Sequence, residues 1–238
     1  MLSRVSRIPS GAFVSLVRGP ALAMAVCFAL EPTWRAVYLA SGLDDRAFFA
    51  VATSAIHSIL YFGLNSFFLA CDATGWLSFY KLPRTPVQQP SRALLQRTVL
   101  PQVLVQLVVL PAVSYYALYP LYASCGAPSA ISPLPSTTTV FLSFLGCLLF
   151  NTWGFYIAHR TLHEFPVLYR TIHKQHHEYT GSIGFAAEYA HPVEALLANT
   201  IPSIGFGIAA GVHPLIFCVW FAWRLEETYE AHSGYNCE

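Results

Sequence analysis

The chain has 238 residues, 55% of them hydrophobic and only 11% charged, against roughly 25% charged in a soluble domain, which argues against an ordinary cytosolic enzyme. With 13 Lys and Arg against 12 Asp and Glu the formal charge is +1, so there is no sustained basic surface to hold a phosphate backbone, and nucleic-acid binding drops out. Aromatics at 15% and a mean hydropathy of +0.49 describe an integral membrane protein, with Trp and Tyr available to mark the lipid interfaces.

In chain order, residues 1–46 carry Arg4, Arg7 and Arg18, with no acid before Glu31. They read as a tail followed by a weakly apolar helix over 20–40, interrupted by Glu31 and Arg35; an organelle transit peptide is the lesser alternative. Residues 47–71 contain no Asp, Glu, Lys or Arg. That is enough for a spanning helix, which needs about 20 residues. Between residues 72 and 97, Lys81, Arg84, Arg92 and Arg97 face the single acid Asp72, the excess expected of a cytoplasmic loop.

Residues 98–158 are again uncharged, broken by CGAPSAISPLPS at 125–136. They predict a helical hairpin with arms 98–124 and 137–158, the first kinked at Pro101 and Pro111. Two crossings from the cytoplasm return the chain to that side at His159. Residues 195–223 are uncharged but punctuated by Pro202, Gly205, Gly207, Gly211 and Pro214, which predicts two short packed helices or a re-entrant hairpin. The six cysteines form no CxxC pair and read as small buried hydrophobes. Three regions follow: 1–46, the membrane helices of 47–158, and a histidine-rich region of 159–238.

Five of the nine histidines fall between positions 159 and 177. His159 and His163 in HRTLH are spaced i, i+4, one turn apart on a helix face. His173, His176 and His177 in HKQHH repeat the device at i, i+3 and i+4, and EFPVLYRTI with Pro166 is short enough to fold the second helix back on the first. Neutral imidazole ligates iron, zinc, copper and nickel, and this spacing lets ring nitrogens converge. Arg160 follows His159, so the HExxH metalloprotease arrangement is absent. His191 in AEYAHPVE and His232 in EETYEAHSGY lie near Glu188, Glu194, Glu227 and Glu230, carboxylates suited to orienting a ligand's second nitrogen. Glu178 and Glu226 read as a solvated face, His57 as a helix-packing or hydrogen-bonded histidine, and His213 as a turn residue.

The run AHRTLH, then IHKQHHEYTGSIGFAAEYAHPVEAL, then EAHSGY resembles the fatty-acid hydroxylase/sterol desaturase superfamily, most closely its C4-methylsterol oxidase branch. The resemblance implies an all-α integral membrane protein, a helical-hairpin bundle with a cytoplasmic histidine-rich metal-binding cap. It implies a diiron site on His159, His163, His173, His176, His177, His191 and His232. It also implies oxidation of sterol or other lipid C–H bonds with O2, and electrons from NAD(P)H through cytochrome b5 or its reductase, in the endoplasmic reticulum membrane. Two departures stand out. Asn151 occupies a position where the family commonly has an acid, and the chain stops at Glu238 before the family's third, HHxxHH-like box. The sequence is therefore expected to be C-terminally truncated and, by itself, not a competent oxygenase. Another superfamily desaturase or lipid hydroxylase, and a non-catalytic membrane protein, are the competing readings.

Overall fold

The computed structural model describes residues 10–83, 85 and 88–236; Arg4, Arg7, Arg84 and Cys237 lie outside the described residues. It is a helical bundle. Among the described residues the only extended pairing is one isolated bridge between Lys81 and Tyr235.

Among the described residues four helices carry the length and apolarity to cross a membrane: α1 (Ser10–Ser41, apolar from Arg18), α2 (Asp45–Thr74), α3 (Arg92–Ser124) and α4 (Thr137–Glu164). The helix expected over 20–40 is thus a span-length element, and its two interrupting charges have work to do. Glu31 accepts from the Leu134 N–H at 3.3 Å, and Arg35 Nη1 donates to the Ile131 carbonyl at 2.6 Å. Trp34 Nε1 donates to the Ala130 carbonyl at 2.8 Å. These bonds tie α1 to the α3–α4 connection, whose backbone would otherwise carry unmet polar groups.

Asp44 caps α2 by accepting from the Ala47 N–H at 2.7 Å, which satisfies one of the orphan donors of a helix start. Asp45 accepts from Ser129 Oγ and the Ala130 N–H. The α1–α2 and α3–α4 turns therefore share one end of the bundle. At the opposite end the Asn236 N–H donates to the Tyr80 carbonyl, the Leu82 N–H to the Gly234 carbonyl, and Gln88 Nε2 to the Thr180 carbonyl. The basic connection after α2 and the histidine-rich segment after α4 are on the same end.

Of the kinks expected in α3, the one at Pro111 takes the form of a π turn, Val105–Val109; a second π turn, Ser114–Leu118, precedes Pro120, whereas Pro101 lies inside the regular α-helical stretch Arg92–Leu104. Each ends on an N–H that bonds five residues back, Leu110 to Val105 and Tyr119 to Ser114, and the next residue is proline, Pro111 or Pro120. A third π turn, Ala195–Thr200, closes through Ile201 to Leu196 immediately before Pro202. A proline inside a helix lacks an N–H and crowds the carbonyl four residues back, and a widened turn relieves that crowding.

After α4 come α5 (Pro166–Thr171), the 3₁₀ segments His173–Glu178 and Gly184–Glu188, then α6 and α7. Pro192–Glu194, the third π turn and Ile201–Ala209 run on as α6, and α7 is Pro214–Ser233. Of the two arrangements open to residues 195–223, the packed helices are found. Their turn reaches the far end of the bundle, where Tyr122 donates its hydroxyl to the Val212 carbonyl. Gly211 has φ +55°, and a Cβ there would lie 2.8 Å from the Cys125 carbonyl oxygen. His213 is the turn residue expected: its Nδ1 accepts from the Leu215 N–H and its Nε2 meets the Ser132 carbonyl at 3.0 Å.

α7 is the core of the bundle, packed on α1, α2, α4 and α6. Ile216, Phe217, Trp220 and Tyr229 are fully or almost fully buried on it. Gly146 of α4 gives the Phe206 ring of α6 room that a Cβ would fill at 2.3 Å, the small-residue contact that lets helices approach closely in lipid. Cys27, Cys71, Cys147 and Cys218 are buried as expected, whereas Cys125, at the end of α3, is exposed.

Candidate metal centre

His159 and His163 occupy the last two turns of α4, their ring centroids 4.8 Å apart. Pro166 forces its predecessor out of the helical region. Phe165 is accordingly extended (φ −96°, ψ 109°), and the chain doubles back through the six residues of α5.

The second histidine box differs from its expected helix. His173–Glu178 is a 3₁₀ segment, in which residues i and i+3 eclipse one another. His176 consequently stacks on His173 at 5.8 Å and 18°, while His177 turns toward α4, 5.0 Å from His163. One group thus comprises His159, His163, His173 and His177. His176 faces instead the His232 ring at 5.6 Å, brought in by the last turn of α7.

His173 Nε2 lies 2.9 Å from His163 Nε2 and 3.0 Å from His177 Nε2. Ligand nitrogens of His159, His163 and His173 all fall within 4.8 Å of one another. On the other side of the His173 ring, Nδ1 is 2.8 Å from Glu194 Oε1, with both side chains buried. The carboxyl thereby accepts a hydrogen bond from Nδ1–H, which keeps the proton there and leaves a lone pair on Nε2, the orientation used for metal-ligating histidines. His232 repeats the device with a backbone acceptor: Nδ1 donates to the Thr228 carbonyl at 2.8 Å, so Nε2 keeps its lone pair.

Burial, reinforced by neighbouring imidazoles, pushes His173 down to about 3. Burial, then His232, pushes His176 down to about 4, and His177 is lowered by burial and His163. Burial raises Glu194 to about 7. Neutral rings converging through bare nitrogens are a donor set that fits a transition-metal ion such as iron.

Not every candidate joins the group. His191 caps α6, its Nδ1 accepting from the Val193 N–H at 3.2 Å. Among the described residues it stands outside the ring contacts that connect the other six histidines. Of the four glutamates, Glu194 meets a cluster histidine. Glu188 accepts from the Tyr229 hydroxyl at 2.9 Å, Glu227 pairs with Arg224 at 3.4 Å, and the Glu230 side chain neighbours Glu226. Glu178 is not simply solvated, since it pairs with Arg97 and accepts from the Tyr189 hydroxyl. His57 is hydrogen-bonded as expected, its Nδ1 2.8 Å from Gln106 Oε1.

Beside the cluster lies a cavity of about 140 Å³ between α2, α3, α6 and α7, walled largely by Phe49, Leu118, Ile204, Phe217 and Phe221. Two of its wall residues also touch the histidines: Phe155 stacks on His159 at 5.1 Å, and Thr228 carries the carbonyl bonded by His232. Asn151, the departure noted before the first box, is buried and accepts from Ser203 Oγ and Arg224 Nε, both at 3.3 Å. Nothing in the sequence marks Arg224 as a cavity residue. Gln106 carries a signal, as an amide that, with Gln102 one turn earlier, interrupts an uncharged apolar helix, and such residues face protein in a membrane.

A family model described as fatty acid hydroxylase matches residues 144–238. Fatty acid hydroxylase ahd1 of Mycosarcoma maydis is 34% identical over 172 residues, covering 71% of this chain and 44% of that protein. A putative methylsterol monooxygenase of Dictyostelium discoideum is 31% identical over 216 residues, covering 87% of this chain and 74% of its own length. The very-long-chain aldehyde decarbonylase GL1-11 of Oryza sativa is 32% identical over 213 residues, covering 87% and 75%. Methylsterol monooxygenases of Arabidopsis thaliana and Aspergillus fumigatus are similar at 29–31%. No solved structure matches. The matched residues contain every histidine of the cluster, and the chain belongs to the fatty acid hydroxylase family.

Proposed function

We propose that this protein is a membrane oxygenase that oxidises the C4-methyl groups of sterol intermediates at a diiron site. The ligands are the six converging histidines, His159, His163, His173, His176, His177 and His232; His191, expected among them, serves as a helix cap. The observation that carries the reading is the convergence of six histidines from α4, the 3₁₀ segment and α7 beside an apolar cavity. The names of the methylsterol monooxygenase relatives point to the substrate. Iron bound there would supply O2 activation and attack on an unactivated C–H bond, with electrons from NAD(P)H through cytochrome b5 or its reductase.

The chain's own residues hold and shield that chemistry. Glu194 fixes the tautomer of His173, and the Thr228 carbonyl fixes that of His232. Phe155 covers His159 on the cavity side, where aromatic walls exclude water and accept a lipid. The histidine end also bears Lys81, Arg92, Arg97, Arg170 and Lys174, a balance that supports a cytosolic orientation in the endoplasmic reticulum membrane.

The test is lipid analysis after depletion of the protein in its source cells, together with iron analysis of the purified chain. Accumulated 4-methylsterols and bound iron are expected. His173→Ala and His176→Ala should abolish oxidation while leaving membrane insertion intact. Unchanged sterols with altered hydroxylated lipids would transfer the activity to the second reading, a lipid hydroxylase, which the family model also favours.

A further inference from the structure

The cavity contains an ionisable pair in addition to the histidine cluster. His57 stands within the long uncharged span of α2, and Glu188 ends the 3₁₀ segment Gly184–Glu188; both line the cavity. His57 Nε2 and Glu188 Oε1 face each other at 3.6 Å, too far for a direct hydrogen bond. Ionisable groups at membrane depth are costly, and their presence marks a functional position by default.

Each partner is held from behind. His57 Nδ1 bonds Gln106 Oε1 at 2.8 Å, and the same oxygen accepts from Ser58 Oγ at 3.1 Å. The ring proton is therefore on Nδ1, and Nε2 turns a lone pair to the cavity. Glu188 is fixed by the Tyr229 hydroxyl on Oε1. Both positions consequently present acceptors within an otherwise aromatic and aliphatic wall. Glu188 is also close to the chemistry: its neighbour Tyr189 places its backbone against the His176 ring, and Thr228, next to Tyr229, holds His232.

We infer that His57 and Glu188 form a specificity subsite for the hydroxyl group of a neutral lipid alcohol, the O–H donating into the acceptor pair. An ether has no proton to give there. A free fatty acid would bring a second carboxylate against Glu188. Arg224, the cation on the same wall, is occupied by Asn151 and Glu227 and does not offset that repulsion. The subsite thus favours a hydroxylated sterol over a free fatty acid. The identity of the alcohol as a 4-methylsterol rests on the proposed function; the selection of a hydroxyl donor does not. In such a sterol the hydroxyl-bearing carbon adjoins the carbon carrying the methyl groups, which fits a hydroxyl subsite beside the histidines.

The experiment measures equilibrium binding to the purified full chain, in detergent, of a 4-methylsterol, its 3-O-methyl ether and a free fatty acid, with iron content and turnover determined separately. The wild type is expected to bind the alcohol about tenfold more tightly than the ether, the scale of one buried acceptor left unmet. Glu188→Leu, which removes the oxygen that faces His57 Nε2, should bring that ratio to about one and strengthen fatty acid binding. It should do so without changing iron content. His57→Phe should also lower the ratio. Equal binding of alcohol and ether by the wild type overturns the subsite even if a variant fails to fold, and so does a full ratio in a folded Glu188→Leu. A discriminating but inactive, iron-free wild type would overturn the oxygenase reading and retain the subsite.

Discussion

Glu194→Ala isolates the contribution of a residue that would touch neither substrate nor metal. His173 is fully buried and Glu194 nearly so, and the 2.8 Å bond between them is what holds the His173 proton on Nδ1. Removing the acceptor leaves a buried N–H unmet, at a cost of about 1–3 kcal/mol. At about 1.4 kcal/mol per tenfold, iron retention should weaken about 5- to 140-fold, which brackets the roughly 10- to 100-fold associated with groups that orient metal-bound histidines. Glu194→Gln should lose far less, because its amide oxygen still accepts from Nδ1 and burial already raises the native carboxyl to about 7. The assay is iron remaining on purified protein after dialysis against a graded chelator, with helicity followed by circular dichroism. Wild-type retention in Glu194→Ala, or equal losses in both variants, would refute the tautomer argument.

Metal-free protein should lose thermal stability on acidification below about pH 6.5. His173 and His176 take up protons at about 3 and about 4 when folded but near 6.5 when unfolded, so the unfolded state binds more protons across that window. Glu194, raised from 4.5 to about 7, acts in the opposite direction between those values; two rings against one carboxyl leave a net loss, measurable as a falling Tm in a pH series. Epitopes near Lys81 and Gln175 should be reached from the cytosol and one near Ser129 protected; the reverse pattern would invert the orientation. Gly184→Ala would set a Cβ 1.8 Å from Asn65 Oδ1, an amide held by its bond to the Tyr61 carbonyl. A loss of about 1–3 kcal/mol is expected from such overpacking, read as a lowered Tm.

The sequence carries the long elements because lipid demands them: residues 47–71 and the hairpin about 125–136 appear as α2, α3 and α4. It hides the inner hairpin's depth, since α7 bears Arg224, Glu226, Glu227 and Glu230 and fails any test of a simple span. Yet Ile216, Trp220 and Tyr229 of that helix are fully buried. The pairing of His159 with His163 is legible, because α-helical spacing persists to the end of α4. The second box is misread as a helix because HKQHH satisfies i, i+3 and i+4 equally well before Ile172 (φ −120°, ψ −62°) interrupts the helix and the chain tightens to 3₁₀. Local spacing could not distinguish those geometries, and it is the tighter one that separates His176 from His177.

The same limitation applies to the prolines, and there it has consequences for the cavity. Pro111 reads as a kink and Pro202 as punctuation of an apolar run, and neither these nor Pro120 says where the backbone opens. The structure places a π turn directly before each. Ser114 and Leu118 of one such turn, and Ala195, Asn199 and Thr200 of another, form part of the cavity wall, together with Leu110, which closes the third. A π turn carries one residue more than an α turn in the same length, so side chains beyond it are rotated out of the regular packing face. Close-packed helices would otherwise leave few voids larger than a water molecule. Three widened turns on α3 and α6, each stabilised by a following residue that has no N–H to demand a partner, keep those helices from closing on α2 and α7. The cavity beside the histidines is therefore a consequence of X–Pro steps in the sequence, and its polar pair His57 and Glu188 is exposed to a ligand because the helices around it cannot pack shut.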